Sequence, residues 1–253
     1  EQVADPSRSG MSTPPLTVTA WLRWDALEPL LPGQGGRVLD IGAGTAGVGS
    51  FLADRYEYVA IEPDPVSYAA AVERIGSRGI VRNMSFEDLP PEGEFDLVCA
   101  FEVLEHVDDD RGALAGWMRH LRPGGSMIVS VPQGRDRFSE GDARLGHFRR
   151  YDPAELEGKL RDAGLADVTS VVYGSPWGNA QEAVRRVAFR LRPSGKSRAE
   201  RTAESGRFLQ PPAWGARATR AVSLPFRSVQ RPLARRGVGT GVIARGRLPT
   251  ASV

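Results

Sequence analysis

A doubly wound α/β fold, with a mainly parallel sheet covered on both faces, is the class this sequence predicts, and three observations predict it. Short apolar runs alternate with helical patterns from Arg37 onward. A glycine-rich turn joins the first of those runs to the helix after it. Apolar residues make up 41% and charged residues 25% of 253 residues, the balance of a globular domain and not of a disordered or membrane chain. At about 150 residues per domain, the length fits one large domain, or one with an appendage.

Residues 1–15 read as a disordered or added tail, with Met11 as a natural start within it. Leu16, Ala20, Trp24, Leu27 and Leu31 then recur at helical spacing until Pro32-Gly33 stops them. Strands follow at 38–41, 58–61, 79–83, 95–100 and 126–131, with helices predicted over 45–54, 65–77 and 108–121 between them. A helix over 153–163 ends at Gly164, and a strand covers 167–173. Past Pro176 the rhythm breaks: a helix over 178–191 leads into a Pro-, Gly-, Ser- and Arg-rich stretch to about 215, read as a loop or lid. The last strand is Thr240 to Arg245. The domain is thus read as 16–253, with a core at 36–175, a basic insertion or lid at 176–238 and a last strand at 239–248.

Net charge is +2, but it is unevenly placed. Residues 1–175 hold 17 Lys/Arg against 28 Asp/Glu, a net of −11, whereas residues 176–253 hold 16 against 3, a net of +13. Opposite halves either attract each other or serve separate partners; the dispersed arginines favour a solvated or core-docking surface over a polyanion site. Cys99 is the single cysteine, which excludes an internal disulfide and any multi-cysteine metal centre. With His106, His120 and His147 as the whole histidine complement, no metal is expected. No apolar run is long enough to cross a membrane and no export signal leads the chain, so a cytoplasmic location is expected.

Gly42, Gly44 and Gly47 satisfy G-x-G-x-x-G after a buried strand, and Glu62 follows at the tip of the next one. That spacing also suits a nicotinamide cofactor. Asp40, however, stands just before the turn, where a carboxylate opposes a pyrophosphate and welcomes a cation. In order along the chain come the 40–47 loop, Ala60-Ile61-Glu62-Pro63-Asp64, Ser85-Phe86-Glu87-Asp88-Leu89-Pro90, Phe95-Asp96-Leu97-Val98 running into Phe101-Glu102-Val103-Leu104-Glu105-His106-Val107, and Leu121-Arg122-Pro123-Gly124-Gly125. Through these segments, over residues 36–175, the sequence resembles the class I S-adenosylmethionine-dependent methyltransferases of small-molecule type. It departs from them at Ala46, where the third glycine usually falls, and at Ser85, where an acidic residue often meets adenine.

The resemblance implies a Rossmann-like seven-stranded sheet of order 3-2-1-4-5-7-6 and S-adenosylmethionine as cofactor. It places Asp40, Gly42, Ala43 and Gly44 along the methionine part, Glu62 and Pro63 at the ribose, Ser85 and Phe86 at adenine, and Phe101 and Glu102 at the end of the fourth strand. Asp64 serves either as a ligand or as the cap of the next helix. Methyl transfer to an oxygen of a sugar, nucleotide-linked or secondary-metabolite acceptor is the implied reaction. His106 and His147 are the candidate bases, each with positioning of its loop as the alternative. Arg149 and Arg150 are candidate anchors for an anionic acceptor, with Tyr151 beside them, or else they pin the loop. Trp24, with Trp21, Trp177 and Trp214, either lines an apolar acceptor pocket or simply packs. Three alternatives stay open: non-methylating chemistry on the same cofactor, an NAD-dependent oxidoreductase, and a non-catalytic partner whose basic part recruits RNA or lipid.

Overall fold

A computed structural model describes residues 16–90, 94–191 and 216–250. The 1–15 tail, the stretch from 192 to 215 and Trp214 within it lie outside the described residues.

Seven strands form one sheet: β1 (Arg37–Ile41), β2 (Glu57–Ile61), β3 (Gly79–Arg82), β4 (Phe95–Phe101), β5 (Leu121–Pro132), β6 (Ala166–Tyr173) and β7 (Gly241–Arg247). Their order is β3-β2-β1-β4-β5-β7-β6, as the resemblance implied. The first five are parallel, while β7 runs antiparallel between β5 and β6. Central strands read as continuous apolar runs because both faces are covered: Leu39, Val98 and Met127 pack on one side, Val38, Leu97 and Ile128 on the other. Between β1 and β4 the chain winds off in opposite directions, which opens a crevice at the carboxyl ends of those strands.

The helices are α1 (Val18–Leu27), α2 (Gly49–Leu52), α3 (Pro65–Ile75), α4 (Asp110–Met118), α5 (Glu140–Arg144), α6 (Pro153–Asp162), α7 (Trp177–Leu191) and α8 (Ala216–Ala234). Side chains start several of them. The Thr17 hydroxyl accepts from the Ala20 N–H at the head of α1, and Asp64 accepts from the Ser67 N–H, with Pro65 in the first turn of α3. Two expectations change. The helix predicted over 45–54 shrinks to the single turn of α2, and α8 forms where none was predicted, with Pro225 and Pro232 inside it. A proline inside a helix removes one backbone donor, a loss that docking on α1 offsets here.

That docking joins the basic and acidic parts at one buried point. α8 lies on α1, where the buried Asp25 carboxylate accepts from Arg227 Nη2 at 2.8 Å and Gln230 Nε2 at 2.9 Å. Gln230 Nε2 also donates to the Leu22 carbonyl at 3.1 Å. Arg231 lies 3.3 Å from the Asp25 carboxylate, so two arginines of α8 meet one buried acidic group of α1. Among the described residues no helix is long and apolar enough to cross a membrane.

Candidate active site

The turn after β1 is shaped by backbone conformation. Gly42 and Gly44 take φ of 66° and 56°, in the left-handed region that glycine adopts without strain. The Gly42 and Ala43 N–H groups both donate to the Ile61 carbonyl, at 2.9 and 3.1 Å, which ties the turn to β2. A Cβ on Gly42 would lie 2.7 Å from Val103 Cγ2, whereas one on Gly44 would meet nothing within 4 Å. Gly42 is thus fixed by packing as well as by φ, and Gly44 leaves its backbone open to a ligand.

Glu62 holds the same turn from the side. Its Oε2 accepts from the Gly44 N–H at 2.7 Å and its Oε1 from the Asp64 N–H at 2.8 Å. Burial raises its pKa against the pull of those two amides. Asp40 is buried too: Oδ2 accepts from the Tyr58 hydroxyl at 2.6 Å, while Oδ1 has no hydrogen-bond partner. Burial, with the Glu62 charge adding to it, pushes its carboxyl up to about 7 against the Tyr58 bond. A buried carboxylate with an empty lone pair, beside a turn that carries no side chain at Gly44 and a strand-end Glu62, fits an ammonium-bearing, ribose-bearing group.

At the other end the geometry is made of side chains. Glu102, just after β4, has φ of 59°, and its N–H donates to the Ser130 carbonyl at 2.8 Å. Its Oε1 accepts from the Ser130 and Tyr173 hydroxyls, both at 3.0 Å, and lies 3.3 Å from Arg23 Nη2. Burial opposes its ionisation, but Arg23 and the two hydroxyls overcome that and hold it below the usual carboxylate range.

Glu105 is fully buried, and neither carboxylate oxygen has a hydrogen-bond partner outside its own residue. Burial and then the Glu102 charge push it well above its ordinary value. His106 is pushed down to about 4 by burial and by His147, so its imidazole is neutral near pH 7. The two imidazoles stand edge to face with centroids 4.7 Å apart. His147 Nδ1 lies 3.6 Å from Asp142 Oδ1, which also accepts from Arg150 Nη2 at 2.7 Å. Arg150 Nη1 reaches Glu182 Oε1 on α7 at 2.8 Å, and Arg137 donates to the other Glu182 oxygen at 2.5 Å. The Thr19 hydroxyl of α1 donates to Gln181 of α7 at 2.7 Å, joining the two helices as a roof. One cavity of about 1080 Å³ runs beneath it, from Asp40, Gly44 and Glu62 to His106, His147 and Glu182.

A family model described as a methyltransferase domain matches residues 21–170. The chain belongs to the S-adenosylmethionine-dependent methyltransferases. It is 28% identical over 209 residues to the ubiquinone biosynthesis O-methyltransferase of Xanthomonas axonopodis pv. citri (strain 306), covering 71% of this chain and 85% of that one. A probable S-adenosylmethionine-dependent methyltransferase of Mycolicibacterium smegmatis is 32% identical over 145 residues, 54% of this chain and 56% of the relative. Among solved structures, a methyltransferase from Thermotoga maritima described as a possible histamine N-methyltransferase superposes with a TM-score of 0.56 at 21% identity, covering 90% of this chain and 88% of that one. At that identity the likeness shows the fold alone. The family match sets the nicotinamide reading of the glycine loop aside.

The methyltransferase brings most of its sequence-predicted site residues to this cavity. Asp40, Gly42, Ala43, Gly44, Glu62, Pro63, Phe101, Glu102, His106, His147 and Arg150 all line it. Five others do not. The Ser85 hydroxyl donates to Asp88 at 2.8 Å, and Phe86 packs edge-on against Trp117 and His120. Trp24 stacks on Phe51 at 4.6 Å beneath the Arg55 guanidinium. Arg149 pairs with Asp108 and Asp110, and Tyr151, fully buried, donates to Asp110 at 2.9 Å. Trp21 and Trp177 likewise pack, on Phe51 and Phe226.

Sequence reading missed Arg23, Asp142, Tyr173 and Glu182, all in the cavity wall. Arg23 lay on a helix valued for its apolar face. The remaining three sit on elements far apart in sequence, and only the fold joins them. Ser139 and Asp142 form a capping box at the start of α5, a local signal that could have marked Asp142.

Proposed function

We propose that this methyltransferase acts on a hydroxyl oxygen of an uncharged small molecule held beneath α1 and α7. The observation that carries the reading is the two-ended cavity, which joins a backbone cradle suited to the cofactor to the paired imidazoles of His106 and His147. Asp40 would take the ammonium of S-adenosylmethionine, Glu62 its ribose hydroxyls, and the Gly42–Gly44 backbone would pass along its methionine part. When bound, the cofactor supplies an electrophilic methyl group on a sulfonium sulfur.

The protein's remaining tasks are to align an acceptor oxygen and to dispose of its proton. His106 and His147 stand where that proton leaves, either to an imidazole or through a cation the imidazoles hold. Both arginines at this end, Arg23 and Arg150, are already ion-paired, with Glu102 and with Asp142 and Glu182. This favours an uncharged acceptor over a phosphorylated or nucleotide-linked one. The ubiquinone relative, named as an O-methyltransferase, supports oxygen as the atom methylated.

The test is to incubate the protein with deuteromethyl-labelled S-adenosylmethionine and matched panels of phenols, sugars, amines and phosphorylated alcohols, reading label transfer by mass spectrometry. Transfer to neutral hydroxyl compounds is expected. Label on amines alone, or on phosphorylated acceptors alone, would overturn the reading.

A further inference from the structure

A fully buried carboxyl group with no hydrogen-bond partner outside its own residue demands a physical reason, because leaving a buried polar group unsatisfied is costly and a charged one more so. Glu105 is such a group, and it opens on the cavity. One carboxylate oxygen of Glu105 and one ring nitrogen each of His106 and His147 lie within 4.8 Å of one another. His106 donates to the Gly146 carbonyl, and Asp142 Oδ1 faces His147 Nδ1 at 3.6 Å, just beyond hydrogen-bond distance. Carbonyls and carboxylates behind histidines are what orient metal-ligating imidazoles. The nearby charges are already matched, Glu102 with Arg23 and Arg150 with Asp142 and Glu182, so the Glu105 carboxyl is left without a bonded counterion.

We propose that Glu105, His106 and His147 bind a first-row divalent transition metal of the zinc type at the acceptor end of the cavity. This corrects the sequence expectation of no metal, which rested on counting histidines and not on where the fold brings two of them. Two imidazoles and one carboxylate suit zinc, cobalt or manganese, whereas magnesium and calcium favour all-oxygen sites. Three protein ligands leave a coordination position open for an acceptor oxygen. In a tetrahedral site with bonds of about 2.0–2.1 Å the donors stand about 3.3 Å apart, so side-chain rotation draws these in by up to about 1.5 Å. The inference rests on the cavity being an acceptor site. With the cation bound, a ligated hydroxyl is acidified by the metal, and both histidines serve as its ligands.

Untagged protein is stripped with a chelator, loaded with Zn²⁺ or Co²⁺, freed of excess by gel filtration and assayed by plasma mass spectrometry. One equivalent of metal is expected, with visible ligand-field bands for Co²⁺. In the unaltered protein, the imidazole nitrogen resonances of His106 and His147 should shift on adding Zn²⁺ while those of His120, packed against Phe86, stay in place. Glu105→Gln and His147→Ala should each weaken Zn²⁺ binding about tenfold or more. Affinity for S-adenosylhomocysteine is measured on the same samples. Protein that binds this compound but takes up no metal, or whose His106 and His147 signals do not move, overturns the site and leaves the cofactor assignment standing. Equal uptake by both variants places the metal elsewhere and also overturns it. Metal uptake with shifted histidines, but without cofactor binding, supports the site and undermines the proposed reaction instead.

Discussion

The two ends of the cavity are built by different means. At the cofactor end, backbone does the work: two glycines with positive φ, amides of Gly44 and Asp64 on Glu62, and amides of Gly42 and Ala43 on Ile61, all within residues 40–64. At the acceptor end, Arg23, Glu102, Glu105, His147 and Glu182 arrive from separate elements and are held by ion pairs and burial. Backbone geometry is specified locally and tolerates little variation, so it preserves one ligand. Side chains from separate elements can be exchanged one at a time, which lets a scaffold change acceptor without losing its cofactor.

The largest expected effect tests the roof. Asp25→Ala removes a buried carboxylate that holds Arg227, Gln230 and Arg231, and should destabilise the protein by about 3 kcal/mol in urea unfolding. If α8 serves only the acceptor side, affinity for S-adenosylhomocysteine changes less than threefold. A large loss of that affinity would erase the distinction between the ends.

Next, Glu62→Ala deletes the acceptor for two loop amides and should weaken S-adenosylhomocysteine binding about 100-fold by titration calorimetry, since charge-assisted hydrogen bonds are worth about 1.5–3 kcal/mol each. An unchanged affinity would show that the turn is held without it.

The Asp40 carboxyl sharpens the comparison through pH. Its folded pKa of about 7 lies above the ordinary value of 3.8, so its contribution to folding is complete below that ordinary value and is lost as pH rises through about 7. A cationic ligand needs the ionised form, so cofactor affinity should fall about tenfold per unit as pH drops below 7. Asp40→Asn should flatten that dependence, weaken binding, and leave the ligand-free protein at least as stable at pH 8. A variant that binds as tightly as the parent would remove Asp40 from the site.

The smallest effect concerns Ala46, whose φ of 52° carries strain of about 1–2 kcal/mol while its methyl is fully buried in the core. Ala46→Gly relieves the strain but gives up about 0.8 kcal/mol of buried methyl and gains unfolded-state entropy. Unfolding free energy is expected to move by no more than about 1 kcal/mol, and a larger gain would mean the turn is over-strained for a reason outside packing.

The cofactor half was legible because its residues are consecutive: strand, turn and strand-end carboxylate appear in order, and φ follows from glycine. At Ser85 and Phe86 the side chains turn to Asp88 within the same segment and to Trp117 and His120 outside it, and the last two partners are brought there only by the fold. α8 was not foreseen, and its place is set by α1 and Asp25, about 200 residues earlier in the chain.

By itself the sequence determined the α/β alternation, the glycine turn, Asp40 and Glu62 beside it, and the excess of positive charge in the last third of the chain. Hydrophobic period, backbone φ and charge are local properties, carried by neighbours along the chain. Tertiary structure alone decided that Arg150 pairs with Asp142 and Glu182, that Trp24 packs away from the cavity, and that Glu105 and two histidines converge with no hydrogen bond to satisfy the carboxylate. Those outcomes depend on which groups become neighbours once water is excluded, and that competition is settled only when the sheet and its insertions have closed around the crevice.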